Sequence, residues 1–232
     1  MLQQTQVARV IPKYRAFVRR FPTVKKLAQA PLSEVFFVWQ GLGYNRRAKL
    51  LRDGAREVAE RFHGAFPRIA EQIEELPGVG PYTARAIAAF AFNTPDVFIE
   101  TNIRTVFLHH CFPNRRKVPD AKILPLIAES LIRANMPPRD FYAALMDYGS
   151  YLKKTGVRLN AKSKHYARQT KFKGSRRELR GKILKLLLES RKSASALAKG
   201  SGRASLEVRE ELARLRKEKL VISQSGMFFL AD

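Results

Sequence analysis

A glycine turn that leads directly into a helix is the feature of this sequence best suited to chemistry, and the chemistry is phosphate binding. Gly78 and Gly80 flank Val79 within the stretch 76–89. Glycines lack the Cβ atoms that would block a close approach, and they permit positive φ. A helix that begins at Pro81 would present unpaired N–H groups and a favourable dipole to an anion. Taken alone, the motif is equally typical of a plain turn that caps a helix.

The overall charge favours a polyanionic partner. The chain has 44 Lys and Arg against 20 Asp and Glu, a formal net charge of +24 and a pI near 10.7. Nucleic acid is the default partner of such a protein, and a membrane surface is the competing polyanion. The sequence has no long uncharged apolar run and no export signal, so we expect a cytoplasmic, nucleoid-associated monomer without a membrane span. The single cysteine, Cys111, excludes an intramolecular disulfide, and we expect it to be buried.

Apolar periodicity predicts an all-helical domain over residues 1–152. The helix ends follow from N-cap residues, glycines and prolines. Among these segments, 69–76 and 83–92 enclose the glycine turn and give a helix, hairpin, helix unit. The predicted helices are 5–21, 33–40, 46–62, 69–76, 83–92, 101–110, 121–134 and 138–152.

The remainder of the chain divides into a basic segment and a small terminal module. Residues 153–177 contain ten Lys and Arg and no acidic residue, which is typical of a solvated linker but also suits a clamp on a phosphate backbone. Residues 178–232 show three helical stretches and a hairpin, the element order of a winged helix-turn-helix. Its third helix would enter a DNA major groove, or the module only packs or dimerises.

Five motifs in order resemble the helix-hairpin-helix DNA glycosylase superfamily, over residues 1–152. Within that superfamily, the sequence is most similar to the MutY-type adenine DNA glycosylase branch. The resemblance implies a two-subdomain helical fold, here followed by the small winged helix. The motifs are Met1-Leu-Gln-Gln-Thr-Gln-Val7, Trp39-Gln-Gly-Leu-Gly-Tyr44, Leu76-Pro-Gly-Val-Gly-Pro-Tyr-Thr83, Ile99-Glu-Thr-Asn-Ile-Arg104 and Met146-Asp-Tyr-Gly149.

The resemblance implies an enzyme that flips a mispaired base out of bent DNA and hydrolyses its N-glycosidic bond. Glu100 stands where the family has an Asp two residues before an Asn, here Asn102. A carboxylate there would face the developing oxocarbenium ion or activate water. Glu is one methylene longer than Asp, and the alternative is a plain helix N-cap carboxylate. Tyr82 stands where lyase members carry a Schiff-base lysine, which implies a monofunctional glycosylase in which Tyr82 supports the carboxylate; otherwise it is a core tyrosine.

The same resemblance assigns residues to DNA contact. Gln3 and Gln4 would enter the base stack, and Tyr44 would intercalate. The hairpin and nearby arginines would bind phosphate groups. These phosphate contacts are Arg46, Arg47, Gly78, Val79, Gly80, Thr83 and Arg85.

The sequence departs from the family pattern in two places. The general acid of the family is a Glu two residues before the Met that is Met1 here, so we expect Met1 to be an internal residue of a longer reading frame, and base excision by the short form to be severely impaired. A stop codon directly upstream would contradict this. The places of the four iron–sulfur cysteines hold Lys153, Asn160, Ser163 and Gln169, so we expect no cluster, no other cofactor and no metal. We expect Lys162, Lys164 and Arg168 to bind phosphate instead.

The expected partner is double-stranded DNA with a mismatched or damaged base. Adenine opposite guanine or 8-oxoguanine is the favoured substrate. A thymine or uracil mismatch glycosylase is the alternative, because that relative shares the Pro-Tyr-Thr hairpin and a Thr at the position of Thr101. A third reading is a non-catalytic DNA-binding protein in which the winged helix supplies the affinity.

Overall fold

The computed structural model describes residues 1–3, 5–163 and 171–231. Gln4, Lys164, Arg168 and Gln169 therefore lie outside the described residues. The α-helices are α1 Val7–Arg20, α2 Val24–Gln29, α3 Leu32–Trp39, α4 Arg46–Arg61, α5 Ala70–Glu74, α6 Pro81–Phe92, α7 Thr101–Cys111, α8 Leu124–Ala134, α9 Pro138–Lys154, α10 Arg176–Glu189, α11 Ala194–Ser201 and α12 Ser205–Lys217. The strands are β1 Lys192–Ser193, β2 Val221–Gln224 and β3 Met227–Leu230.

The chain forms two compact units. Unit 1 combines Met1–Phe66 with Thr170–Asp232, and unit 2 is Pro67–Gln169. The predicted fold class, an all-helical domain followed by a small winged helix, is confirmed. The predicted domain boundaries stay a prediction. The helices end close to them, with α9 continuing to Lys154 and α10 beginning at Arg176.

Every predicted helix is present within a few residues, and α2 is the one that periodicity missed. It spans six residues, and Thr23 caps it by accepting the Lys26 backbone N–H at 3.2 Å. Helix α3 begins at Leu32, after Pro31, without a side-chain cap. Short helices such as α2 depend on tertiary packing rather than on their own propensity.

One hydrophobic core runs through unit 1. It joins residues from the N-terminal helices, such as Phe17 and Trp39, to residues from the C-terminal module, such as Ile183 and Leu212. The winged helix therefore packs on the N-terminal helices in this unit. Helix α1 buries only part of its apolar surface. Val10 and Phe17 are buried, whereas an adjacent stripe is exposed, made of Val7, Ile11, Tyr14 and Val18.

The C-terminal module has the winged-helix order of helices and strands. Its sheet is antiparallel with the order β1-β3-β2, and Val221 pairs with Leu230 while Gln224 pairs with Met227. Ser225 and Gly226 both have positive φ, as a two-residue hairpin turn of the I′ type requires.

The core of unit 2 brings α7 against α9. Its buried residues include Phe98, Ile103 and Tyr142. The two helices touch at Gly149, where a Cβ atom would lie 2.2 Å from the backbone oxygen of Asn102. Only glycine fits this crossing, so the motif Met146–Gly149 sets how closely α9 approaches the first turn of α7.

The prediction for Cys111 is wrong. Cys111 is exposed, as are His109 and His110 beside it. The buried residues of α7 end at Leu108, so the last turn of the helix extends past the core.

Candidate functional site

The glycine turn forms between α5 and α6 as the sequence predicts. Gly78 adopts a φ of +78°, and the Val79 N–H donates to the Leu76 carbonyl at 3.0 Å. Gly80 is the N-cap residue of α6 and has no side chain of its own with which to cap the helix. A Cβ atom at Gly80 would meet no protein atom within 4 Å. The turn therefore leaves the start of α6 accessible to an anion, as a phosphate site requires.

Glu100 is the N-cap residue of α7. Its Oε1 atom accepts the backbone N–H groups of Asn102 and Ile103, the latter at 3.0 Å. The side chain is only half-buried. An anion is stabilised at this end of a helix by the dipole and by the N–H groups. The helix cap that the sequence offered as an alternative is thus present, and it fixes the position of the carboxylate.

Tyr82 lies in the first turn of α6, with its side chain 42% exposed. Its ring packs edge-on against Phe98, with 5.9 Å between the ring centroids. Burial and the negative charge of Glu100 raise the pKa of Tyr82 to about 12. The phenol is therefore neutral near neutral pH and can donate a hydrogen bond. The supporting role of Tyr82 stays a prediction.

Two residues near Asn102 were not predicted to belong to this site. Lys153 reaches Asn102 from α9, and its Nζ donates to Asn102 Oδ1 at 2.5 Å. Arg104 forms a bidentate pair with Asp120, with N to O distances of 2.9 and 2.7 Å. The pair ties the second turn of α7 to the segment before α8. Arg104 lies inside a quoted motif, but no sequence signal identifies its partner.

In unit 1, the guanidinium of Arg47 fixes the loop that carries Tyr44. It lies over the rings of Trp39 and Tyr44, at 5.4 and 5.6 Å from their centroids. It also donates to five oxygens at 2.9 to 3.4 Å, on Met1, Gln3, Thr5, Leu42 and Gly43. Burial lowers the pKa of Arg47. These five acceptors all belong to the protein itself, and the predicted phosphate contact of Arg47 stays a prediction.

Tyr44 is presented at the surface between two arginines. It has a φ of +49° and is 38% exposed. Arg177, at the start of α10, donates to the Tyr44 hydroxyl at 3.0 Å and lies 5.8 Å from the ring centroid. Sequence reasoning assigned Arg177 only to the basic segment. The first turn of α10 thus contributes directly to the predicted intercalation position.

The other predicted DNA contacts have varied environments. Gln3 and Arg46 are exposed in unit 1. In unit 2, Thr83 is partly exposed, and Arg85 donates to the Pro81 carbonyl at 3.3 Å. Lys162 donates to the Pro113 carbonyl at 2.6 Å, which leaves two of its three donors for other partners. The predicted contacts Gln4, Lys164 and Arg168 lie outside the described residues.

The residues at the places of the family's cluster cysteines do not fit an iron–sulfur cluster. Lys153 carries an ammonium group that donates to Asn102. Ser163 is buried and forms a parallel β-bridge with Val118. Neither supplies a thiolate, and the only cysteine of the chain is in α7.

The described part of the chain contains no group of three or more His, Cys, Asp or Glu side chains arranged to hold a metal ion. No helix in the same part combines the length and apolar character of a membrane span.

The chain is similar to curated proteins named adenine DNA glycosylase. One, from Buchnera aphidicola subsp. Baizongia pistaciae (strain Bp), is 37% identical over 152 residues, which are 66% of this chain and 43% of that protein. Another, from Homo sapiens, is 48% identical over 107 residues, which are 46% of this chain and 20% of that protein. The chain thus spans less than half the length of these relatives.

Similarity in structure and a family match agree with these relatives. The solved structure of a thermostable thymine-DNA glycosylase matches with a TM-score of 0.54 and 27% identity, over 64% of this chain and 69% of that one. Residues 1–133, more than half of the chain, match the family described as HhH-GPD superfamily base excision DNA repair protein. With the glycine hairpin and the capped carboxylate of unit 2 in the expected order, the chain belongs to the HhH-GPD superfamily of base excision DNA repair proteins.

Proposed function

We propose that this chain is a monofunctional DNA glycosylase that removes adenine mispaired with guanine or 8-oxoguanine. The observation that carries the proposal is the carboxylate of Glu100, fixed at the start of α7 with Asn102 beside it and coupled electrostatically to Tyr82. The family match and the relatives named adenine DNA glycosylase support the reaction class and the base.

The proposed reaction is hydrolysis of the N-glycosidic bond. The bond between C1′ and the base nitrogen breaks and one water is consumed. Its oxygen bonds to C1′ as a hydroxyl group, and the equivalent of its other proton goes to the nitrogen of the departing base. Glu100 stabilises the positive charge that develops on the sugar or activates the water. Tyr82 is a phenol and cannot form the imine that strand cleavage by a lyase mechanism requires, so this position supports hydrolysis alone.

Duplex DNA is the proposed partner. The formal charge of +24 supports it, as does the open N-terminus of α6 behind Gly78 and Gly80. We propose that the segment with Lys162, Lys164 and Arg168 binds phosphate, in a monomeric nucleoid-associated protein that needs no cofactor. Changing these three residues together should reduce the dependence of binding on salt, because fewer counterions are released. An unchanged dependence of binding on salt would show that these three side chains are merely solvated.

The second candidate is a thymine or uracil mismatch glycosylase. The solved structure of a thymine-DNA glycosylase is similar to this chain. Pro81-Tyr82-Thr83 and the Thr101 between Glu100 and Asn102 also favour this substrate. The chemistry at Glu100 would be the same, and only the base would differ.

The test is single-turnover base release on duplexes with adenine opposite 8-oxoguanine, A·G, T·G or U·G. The chain that begins at Met1 is assayed beside a longer form that adds any in-frame upstream codons. Abasic sites are revealed with alkali. We expect adenine release, with strand cleavage only after alkali. Release of thymine or uracil instead would establish the second candidate. Tight binding without base release on any duplex would contradict both glycosylase candidates and would favour a non-catalytic DNA-binding protein.

Glu100→Gln is the matched control for this assay. The amide oxygen of Gln can still accept the N–H groups of Asn102 and Ile103, so the helix cap is kept while the charge is removed. We expect base release to slow by about 10² to 10³ fold, with the melting temperature nearly unchanged. Full activity in this variant would remove Glu100 from the mechanism.

A further inference from the structure

Lys153 and Gly149 share one face of α9, because they are four residues apart in a helix. Gly149 lies against the backbone of Asn102, so this face is directed at the first turn of α7. One turn later, the Lys153 ammonium donates to Asn102 Oδ1 at 2.5 Å. The close crossing of α9 and α7 at Gly149 thus places the Lys153 ammonium beside Asn102, two residues after Glu100.

The pairing determines which way the Asn102 amide points. An ammonium group has donors only, so it can face the oxygen of an amide but not its NH₂ group. The backbone N–H of Asn102 is already bound by Glu100. Asn102 is therefore held from two sides, and the two hydrogens of its Nδ2 point away from Lys153.

The surroundings of Lys153 differ from those of an ordinary surface lysine. Lys153 is half-buried, whereas its neighbour Lys154 is exposed. Burial lowers the pKa of Lys153, the negative charge of Glu100 raises it, and Arg104 lowers it again. Ordering and partly desolvating a long charged side chain is unfavourable unless its ammonium finds partners, and here the partners are on α7.

We propose that Lys153 is a positioning residue of the glycosylase reaction, which holds the Asn102 amide so that its NH₂ group donates to the flipped nucleotide next to Glu100. The proposal rests on the function proposed above. Lys153 does not itself touch the nucleotide in this account. It acts through Asn102, and it ties α9 to the helix that carries the carboxylate.

The first test compares Lys153→Met with Lys153→Arg, and with Lys154→Met as a control for loss of one charge. The readouts are the single-turnover rate of base release at saturating protein and the Kd for the same duplex. We expect Lys153→Met to slow release by about 10 to 100 fold, because a misplaced positioning group disturbs the reacting geometry. Its Kd should change no more than that of Lys154→Met. Lys153→Arg keeps a donor and a charge and should restore part of the rate.

Equal rates in Lys153→Met and Lys154→Met would overturn the proposal. So would a loss that appears in Kd alone, because it would make Lys153 another phosphate contact. Melting temperatures of both variants show whether a slow rate reflects unfolding. A melting temperature of Lys153→Met far below that of Lys154→Met, with no recovery in Lys153→Arg, would assign Lys153 to stability instead.

A second test does not depend on activity. The side-chain NH₂ resonances of Asn102 in ¹H–¹⁵N spectra, assigned with Asn102→Asp, should shift in Lys153→Met and stay in place in Lys154→Met. If neither the chain from Met1 nor its longer form releases base, the proposed function fails while these spectra still test the contact. Unchanged Asn102 resonances in Lys153→Met would then overturn the positioning by Lys153 as well.

Discussion

Replacing Gly149 with Ala should destabilise unit 2, although the same replacement usually stabilises a helix interior. Gly is unfavourable in helices by about 1 kcal/mol relative to Ala, so propensity alone predicts a gain. At Gly149, however, the new Cβ would lie 2.2, 2.6 and 2.9 Å from the backbone O, C and Cα of Asn102. Ordinary contact begins near 3.4 Å, so the two helices would have to separate by about 1 Å.

The obstacle is backbone, so no rotamer change can relieve it. Overpacking of this kind costs about 1 to 3 kcal/mol, and the rigid obstacle favours the upper end. After the propensity gain, we expect a net loss of about 2 kcal/mol. The separation would also move Asn102 and the cap of Glu100, so base release should fall in the molecules that remain folded.

Gly181 provides the control. It lies inside α10, and a Cβ atom there would meet no atom within 4 Å. Gly181→Ala should therefore raise stability by about 0.5 to 1 kcal/mol. The unfolding of both variants in urea is followed by far-UV circular dichroism. Tryptophan fluorescence is unsuitable, because the only tryptophan, Trp39, lies in unit 1 and Gly149 lies in unit 2. If Gly149→Ala is as stable as Gly181→Ala, the contact between α7 and α9 does not require glycine.

Four further predictions concern single side chains. Gly80→Ala should lower the free energy of unfolding by no more than about 1 kcal/mol, because Ala is a poorer N-cap residue than Gly. It should weaken duplex binding by about tenfold, because the methyl group enters the space left for phosphate, and equal affinities would contradict the phosphate site. Glu211 is fully buried among Arg176, Arg180 and Arg214, so Glu211→Ala should lose about 3 kcal/mol in urea unfolding, and a loss below about 0.5 kcal/mol would show that the arginines are satisfied without it. An absorbance titration should show the Tyr82 phenolate only near pH 12, and this step should be absent in Tyr82→Phe. Because the pKa of Tyr82 is higher in the folded than in the unfolded chain, its contribution to stability is complete below pH 10 and is lost as the pH rises towards 12. Arg177 lies beside Tyr44, the predicted intercalating residue, and we expect it to bind phosphate there. Arg177→Met should therefore weaken duplex binding and lower the slope of its salt dependence by about one, whereas an unchanged slope would limit the role of Arg177 to stacking on the Tyr44 ring.

Much of the helical framework could be predicted because its signals are local. Helix α6 needs only Pro81, a run of small apolar residues and a preceding glycine, and it was predicted to within two residues. The winged helix was predicted in the same way, from the order of three helical stretches and a hairpin. The roles predicted for Glu100 and Tyr82 came from the family resemblance, because residue types and spacing alone do not distinguish a capping carboxylate from a catalytic one.

The features that sequence reasoning missed depend on contacts between distant residues. Lys153 stands 51 positions from Asn102, and nothing in the spacing indicates that α9 and α7 cross at Gly149. The predicted burial of Cys111 failed for a similar reason, since periodicity gives the face of a helix but not where its core contacts end. The charge of Arg47 is visible in the sequence, whereas the five oxygens that accept its hydrogen bonds are not.

The capping and catalytic interpretations of Glu100 are compatible because a carboxylate has two oxygens. Oε1 accepts the N–H groups of Asn102 and Ile103. Glu is one methylene longer than the Asp of the family, and its side chain folds back onto the first turn of α7. The cap locks the orientation of the carboxylate before DNA binds, and the helix end favours its negative charge. Lys153 and the Arg104 pair then hold the same turns of α7 from outside. A carboxylate held in this way needs little reorganisation when positive charge develops on a sugar, which is the condition for electrostatic stabilisation of the transition state.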